Sequence, residues 1–203
     1  MSKGFFLSFE GGEGAGKTTL IQKVADTLTK NNHQVLITRE PGGTPLGEKI
    51  RTLLLDTEGP MTPQSELCLF LASRSEHLQQ VILPALQKGT VVLCDRFNDS
   101  SIAYQGSGRD LGIPLVKNLC NTICNNINPD LTFYLDLSPK EAFKRLQSAH
   151  DRIESEEQSF HQKVRQGYLK LAKQEPDRIK ILDATLTKEE VFENAKVHLR
   201  SLV

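Results

Sequence analysis

Apolar and polar positions along this chain follow two alternating periods. The run Phe5-Phe6-Leu7-Ser8-Phe9 is almost continuously apolar, as a strand covered on both faces of a sheet should be. Behind it, Leu20, Ile21, Val24, Ala25 and Leu28 recur at intervals of three and four, which predicts a helix with one buried face. The alternation continues through a strand at Val35-Leu36-Ile37-Thr38, a helix from Leu46 to Leu55 and a longer helix from Pro63 to about Leu86. Thr62 suits the cap of that longer helix and Pro63 its first position. Pro84 should kink or break its end, because proline lacks the amide proton that a helix interior needs. Further strands are expected at Thr90-Val91-Val92-Leu93-Cys94, Leu131-Thr132-Phe133-Tyr134-Leu135 and Ile179-Lys180-Ile181-Leu182. Helical patterns run through Ile123, from Pro139 to Leu146, from Ser155 to Ala172 and from Lys188 to Leu202. Five strands separated by helices predict an α/β fold in three layers, with a five-stranded parallel sheet between two layers of helices. No repeat, low-complexity tract or linker divides the chain, so residues 1–203 are expected to form a single domain.

Composition narrows the class of partner. The 25 lysines and arginines equal the 25 aspartates and glutamates, so no partnership dominated by nucleic acid or an anionic membrane is expected. Cys68, Cys94, Cys120 and Cys124 lack zinc-site spacing, and the first two sit in apolar runs, which points to free thiols in a reducing compartment. Nothing at the N-terminus resembles a secretory leader and no apolar run is long enough to span a bilayer, so the expected location is the cytoplasm.

Chemistry enters in the turn between the first strand and the first helix. Gly11-Gly12-Glu13-Gly14-Ala15-Gly16-Lys17-Thr18 fits G-x-x-x-x-G-K-[ST], and the flanking strand and helix are the context that gives this motif its meaning. Glycines let successive backbone N–H groups converge on an anion, and the helix N-terminus adds partial positive charge. Lys17 is placed to reach the outer phosphates of a nucleotide and the Thr18 hydroxyl to ligate Mg²⁺, with Thr19 next on the helix. The expected fold is therefore of P-loop type. In such a sheet, ligands collect beyond the C-terminal strand ends, where this sequence puts Glu10, Arg39-Glu40, Asp95-Arg96, Asp136 and Asp183. Asp95-Arg96, at the end of an apolar strand, looks like a second nucleotide-site element, with its carboxylate near the Mg²⁺ and its arginine able to clamp a phosphate. The N-K-x-D and L-S-G-G-Q motifs are absent, which favours a small-molecule kinase over a GTPase or a transporter ATPase. On the long helix, Glu66, Phe70 and Arg74 fall at i, i+4 and i+8 and share a face. A phenylalanine one turn from an arginine could stack a planar base and bond its edge, although aromatic residues more often fill cores.

Several longer stretches carry more information than the loop. Thr38-Arg39-Glu40-Pro41-Gly42-Gly43-Thr44, Leu69-Phe70 with Arg74, Asp95-Arg96-Phe97, and Asp99-Ser100-Ser101-Ile102-Ala103-Tyr104-Gln105-Gly106 follow one another in order. With Pro129-Asp130-Leu131-Thr132, Asp151-Arg152-Ile153-Glu154 and Asp183-Ala184, they make a chain that resembles the bacterial thymidylate kinases over nearly its whole length. The resemblance implies transfer of the ATP γ-phosphoryl group to dTMP with Mg²⁺, giving dTDP for the dTTP supply, by a homodimer. It implies that Gly11, Gly12, Glu13, Gly14, Ala15, Gly16, Lys17, Thr18 and Thr19 hold ATP, and that Thr18, Glu10 and Asp95 face the metal, Glu10 also facing the sugar 3′-hydroxyl. Phe70 would stack on thymine, with Arg74, Ser101 and Gln105 at the base, Tyr104 crowding the 2′ position and Pro41 near the methyl group. Arg96, then Arg39 or Arg51, would hold the acceptor phosphate, and Asp183-Ala184 would border adenine.

Some members of that family carry a basic residue inside the phosphate loop. Here Glu13, Gly14 and Ala15 stand at those positions, so the resemblance implies a catalytic arginine from a short helical lid at about residues 141–156. Arg152 is the first candidate and Arg145 the second, against the alternative that Arg152 pairs with Asp151, Glu154 or Glu156 on a solvated face. Lys17, Arg96, Arg152 and Glu10 are thus the expected catalytic set, with no strong general base needed because the acceptor phosphate is already ionised. Two other readings remain open on the residues alone: a kinase for another nucleotide such as dUMP or for a deoxynucleoside, and a regulatory module whose loop reports nucleotide by conformation.

Overall fold

The computed structural model describes residues 4–56, 59–145 and 151–199. Among the described residues there are five strands: β1 (Phe6–Glu10), β2 (Val35–Arg39), β3 (Val91–Asp95), β4 (Leu131–Asp136) and β5 (Ile179–Asp183). They form one parallel sheet in the order β2-β3-β1-β4-β5. Each lies within one or two residues of its sequence-based expectation, because an apolar run between turn residues has few other ways to be buried. Alternate side chains of a strand project to opposite faces. Leu7, Phe9, Leu93 and Phe133 pack with Leu20 and Val24 of helix α1 (Lys17–Lys30) and Ala195 of α9 (Lys188–Leu199). Phe6, Val92 and Cys94 face the other way, onto Leu78, Ile82 and Leu86.

The other helices are α2 (Pro45–Asp56), α3 (Pro63–His77), α4 (Leu83–Gln87), α5 (Asn98–Ser101), α6 (Ile113–Ile123), α7 (Pro139–Arg145) and α8 (Gln158–Gln174). Thr62 caps α3 as expected, its hydroxyl accepting from the Ser65 amide at 3.3 Å. The kink or local break expected near Pro84 takes the form of an interruption in the long helix. The chain widens into a π-helical stretch at Leu78–Ile82 and then resumes as α4, a change of hydrogen-bond register that accommodates the missing amide proton. A second π-helical stretch, Ile102–Gly108, continues α5 and presents Tyr104 and Gln105.

Helix α8 starts three residues later than the sequence suggests. The Asp151 carboxylate accepts from the amides of Ile153 and Glu154, both at 2.8 Å, and holds residues 151–154 in a local turn. The end of the expected helix at Leu146, residues 146–150 of the expected lid, and the last helix beyond residue 199 lie outside the described residues. No helix among the described residues is long and apolar enough to cross a membrane.

Because β1 is central, the loop after it opens where the chain has turned first toward β2 and later toward β4. This is the crevice where doubly wound sheets bind ligands.

Candidate active site

The phosphate loop is shaped by its glycines. Gly11 has φ +139°, and a Cβ there would lie 2.7 Å from the Leu135 carbonyl oxygen, so no other residue fits. Lys17 is almost fully buried, and its ammonium donates to the carbonyls of Gly11 (3.3 Å) and Gly12 (3.2 Å), with Glu13 at 3.9 Å. Burial and the nearby Arg96 guanidinium lower its pKa, against the pull of Glu13, Asp95 and Glu10.

Next to the loop, Arg96 follows β3 with φ +72°, a left-handed conformation that costs a non-glycine residue roughly 1–2 kcal/mol. That strain aims the side chain across the crevice. Its guanidinium makes a short ion pair with Glu13, donates to Ser100 Oγ at 3.3 Å, and lies 5.2 Å from the Tyr104 ring centroid. Glu13 is buried enough to be raised, yet Arg96 and Lys17 outweigh burial and hold it down at about 2. Asp95 Oδ1 is buried without a hydrogen-bond partner among the described residues, on the same cavity as Thr18. An orphaned carboxylate oxygen near a hydroxyl is a donor set that suits a hard divalent cation.

Two cavities meet at Glu13, Arg51 and Arg96. The first, about 890 Å³, is polar and has Lys17, Thr18, Arg39 and Asp95 on its walls. The second, about 570 Å³, is walled by Pro41, Phe70, Ser101, Tyr104 and Gln105. Phe70 therefore walls this cavity while its other side packs against the core cluster behind it. A third, about 730 Å³, lies on the far side of the loop against Gly14, Ala184, Leu186 and Arg145. Arg145 is tied to the Gly14 carbonyl at 3.3 Å and the Ala184 carbonyl at 2.9 Å. Asp183 turns its carboxylate away, onto the amide and hydroxyl of Thr185.

Comparison with known proteins bears on this arrangement. The family model for thymidylate kinase matches residues 9–195. The chain belongs to the thymidylate kinase family. It is 46% identical over 204 residues to the thymidylate kinase of Protochlamydia amoebophila, covering 95% of this chain and 91% of that protein. Identity with the thymidylate kinase of Syntrophotalea carbinolica is 47% over 196 residues, covering 92% and 91%. The crystal structure of thymidylate kinase from Ehrlichia chaffeensis matches with a TM-score of 0.77 at 34% identity, covering 96% of this chain and 99% of that one.

Within this thymidylate kinase frame, three expected residues sit differently from their sequence-based roles. Arg74 is not on the cavity surface. It lies fully buried behind the wall, donating to Glu40 Oε2 (2.6 Å), Ser101 Oγ (2.9 Å) and the Phe97 carbonyl (3.1 Å), so it acts on the cavity through Ser101. Its partner Glu40 is held from the other side by His77, which in turn meets Thr38. Glu10 is also fully buried and borders neither the polar nor the acceptor cavity. Its oxygens accept from the Phe97 amide (2.7 Å), Ser100 Oγ (2.5 Å) and the Tyr168 hydroxyl (2.9 Å). Burial first and the Asp99 charge second push it up to about 7.

Arg152 is not brought to the phosphate loop. Its guanidinium donates to the Leu54 carbonyl (3.1 Å) and to Glu66 (2.7 Å), a buried carboxylate on α3 that outcompetes the solvated partners near it in sequence. Arg39 pairs with Glu48 on the rim of the polar cavity, while Arg51 donates to the Pro41 carbonyl and borders both cavities.

Apart from Glu13, which the sequence already places in the phosphate loop, other contributors have no signal in the sequence beyond residue type. Glu13 borders three cavities, and Tyr168 reaches Glu10 from α8, 158 positions away. His161 borders the acceptor cavity with its buried Nε2 lacking a partner among the described residues, and burial lowers its pKa.

Proposed function

We propose that this enzyme transfers the γ-phosphoryl group of ATP to dTMP, releasing ADP and dTDP, and so supplies dTTP for DNA synthesis. The observation that carries this reading is the meeting of an aromatic-walled acceptor cavity and a phosphate-loop cavity at two shared arginines, Arg51 and Arg96. The loop from Gly11 to Thr19 offers its amides to the ATP phosphates, with the adenine against Ala184 and the planar guanidinium of Arg145. Asp95 and Thr18 would hold Mg²⁺, which supplies charge neutralisation at the phosphates when bound. Phe70 and Pro41 wall the thymine, Tyr104 packs beside the sugar, and Arg96 with Arg51 holds the acceptor phosphate.

Two polyanions repel unless their charge is matched, and phosphoryl transfer asks little else of the protein. Lys17, Arg51 and Arg96 supply that charge. Glu13 pairs with both Lys17 and Arg96, so these two cations converge on one point that a phosphate can take in place of the carboxylate. The loop holds no arginine, and Arg152 sits with Glu66, so Arg96 is the guanidinium best placed to face the transferred group. At the two described ends of the expected lid, Arg145 borders the adenine-side cavity and Asp151 and Ile153 border the acceptor cavity.

The enzyme is taken to be cytoplasmic, where its four free cysteines stay reduced. A homodimer is supported by α6, on which Leu115, Leu119 and Ile123 recur every fourth residue as a partly exposed stripe beside buried Val116 and Cys120. The test of function is ADP release from ATP and Mg²⁺ with dTMP, dUMP, dCMP or dGMP as acceptor. Strong preference for dTMP is expected, and equal rates across the four would refute the reading.

A further inference from the structure

Glu66 lies one turn before Phe70 on α3 and is fully buried, yet it does not touch the acceptor cavity. Among the described residues, its two oxygens accept four hydrogen bonds. Oε1 takes Gln105 Nε2 (2.9 Å) and Arg109 Nε (3.1 Å), and Oε2 takes Arg109 Nη2 (3.0 Å) and Arg152 Nη2 (2.7 Å). Burial pushes this carboxyl up, but the bonds from Arg109, Gln105 and Arg152 outweigh it and leave its pKa below the usual value. An ionised carboxylate only accepts hydrogen bonds. Gln105 can therefore present only its N–H₂ end to Glu66, which leaves the amide oxygen on the side of the cavity that Gln105 borders.

Ser101 is set in the opposite sense. Its oxygen accepts from Arg74, so its hydroxyl proton is available to the cavity as a donor. The wall thus offers a donor at Ser101 and an acceptor at Gln105. A ring edge with a carbonyl beside an N–H matches that pair, as thymine has. A ring edge with an amino group beside a bare nitrogen, as in cytosine, presents the inverse.

We infer that Glu66 is a positioning residue for base choice: by accepting the Gln105 N–H₂ it turns the Gln105 oxygen toward the acceptor and selects an imide edge over an amino-pyrimidine edge. The inference rests on the dTMP kinase reading above. Glu66, Phe70 and Arg74 then address one ring from three successive turns of α3, Phe70 at its face, Arg74 through Ser101 and Glu66 through Gln105.

Glu66→Gln reverses the logic without changing size. Arg109 and Arg152 would claim the new amide oxygen, its N–H₂ would turn to Gln105, and Gln105 would answer with its oxygen, leaving its own N–H₂ toward the cavity. The experiment is a competition between dTMP and 5-methyl-dCMP in one reaction. Both carry the methyl group and differ only at the ring edge, and the product ratio does not depend on how much enzyme is folded. The wild-type chain should favour dTMP strongly. Glu66→Gln should lower that ratio at least about tenfold, and Glu66→Asp, which keeps the carboxylate, should stay nearer the wild-type ratio. A wild-type ratio near one would remove the dTMP kinase reading itself. A strong wild-type preference left unchanged in Glu66→Gln would overturn the role of Glu66 alone. A second measurement needs no variant at Glu66. The Gln105 side-chain N–H₂ resonances of the wild-type chain, assigned by their loss in Gln105→Met, should be protected from exchange without nucleotide. Exchange at the rate of a solvated amide would overturn the lock.

Discussion

Glu10 offers the sharpest quantitative test, because its environment decides its charge. The carboxyl is fully buried, and among the described residues the Phe97 amide, Ser100 and Tyr168 hydrogen-bond to its oxygens. Removal from water and the neighbouring Asp99 raise its pKa from 4.5 to about 7, against the lowering effect of Ser100, Arg96 and the Phe97 amide. Between those two values the folded chain binds a proton that the unfolded chain has lost, so stability falls as pH rises. The stabilisation is fully present below pH 4.5, is lost through pH 7 and changes no further above it. At 1.36 kcal/mol per pKa unit, the loss from this one group is about 3 kcal/mol. Glu10→Gln keeps an oxygen for the Phe97 amide and an N–H₂ for Ser100 or Tyr168, but it carries no titrating proton. Urea unfolding of both proteins at intervals from pH 4.5 to pH 8 isolates the effect, since groups that do not interact with Glu10 cancel in the difference. The glutamine variant should gain on the wild type by about 3 kcal/mol across that range, with equal m-values. A difference that stays flat to within about 1 kcal/mol would show that Glu10 ionises as it does in water, and the reading of this site would fail.

Arg152→Ala should cost about 1–3 kcal/mol of stability in denaturant unfolding, because it takes one donor from a buried carboxylate that Arg109 still holds. Its kcat should stay within about tenfold of wild type, and a loss of several orders of magnitude at unchanged stability would restore Arg152 as the catalytic finger. Asp95→Asn should raise the Mg²⁺ concentration for half-maximal rate about tenfold or more with little change in the KM for dTMP, and an unchanged Mg²⁺ dependence would take Asp95 out of the metal site. Leu119→Glu places a charge in the exposed stripe of α6 and should halve the mass measured by light scattering at micromolar concentration, whereas a monomeric wild type would refute the homodimer.

The phosphate loop is legible in the sequence because its chemistry is local: glycines, a lysine and a threonine act within eight consecutive residues. The strands are legible for a similar reason, since each is a short apolar run with turn residues at both ends. Phe70, Ser101, Tyr104 and Gln105 are reachable only through the family resemblance, and the fold does bring them to one cavity. Spacing alone leaves Phe70 nearer to a core residue, because a helix face looks the same whether a core or a ligand covers it.

The order of elements, the donor-phosphate cradle and the set of charged residues that end near it follow from the amino-acid sequence alone. Which charge meets which is settled only by the tertiary structure. Arg152 goes to Glu66 and not to the phosphates, Arg74 goes behind Ser101 with Glu40, and Glu10 goes under the floor with Tyr168. The physical reason is that a buried charge is stable only beside a partner, and that partner is chosen by packing between segments far apart in sequence, such as the 86 positions between Glu66 and Arg152.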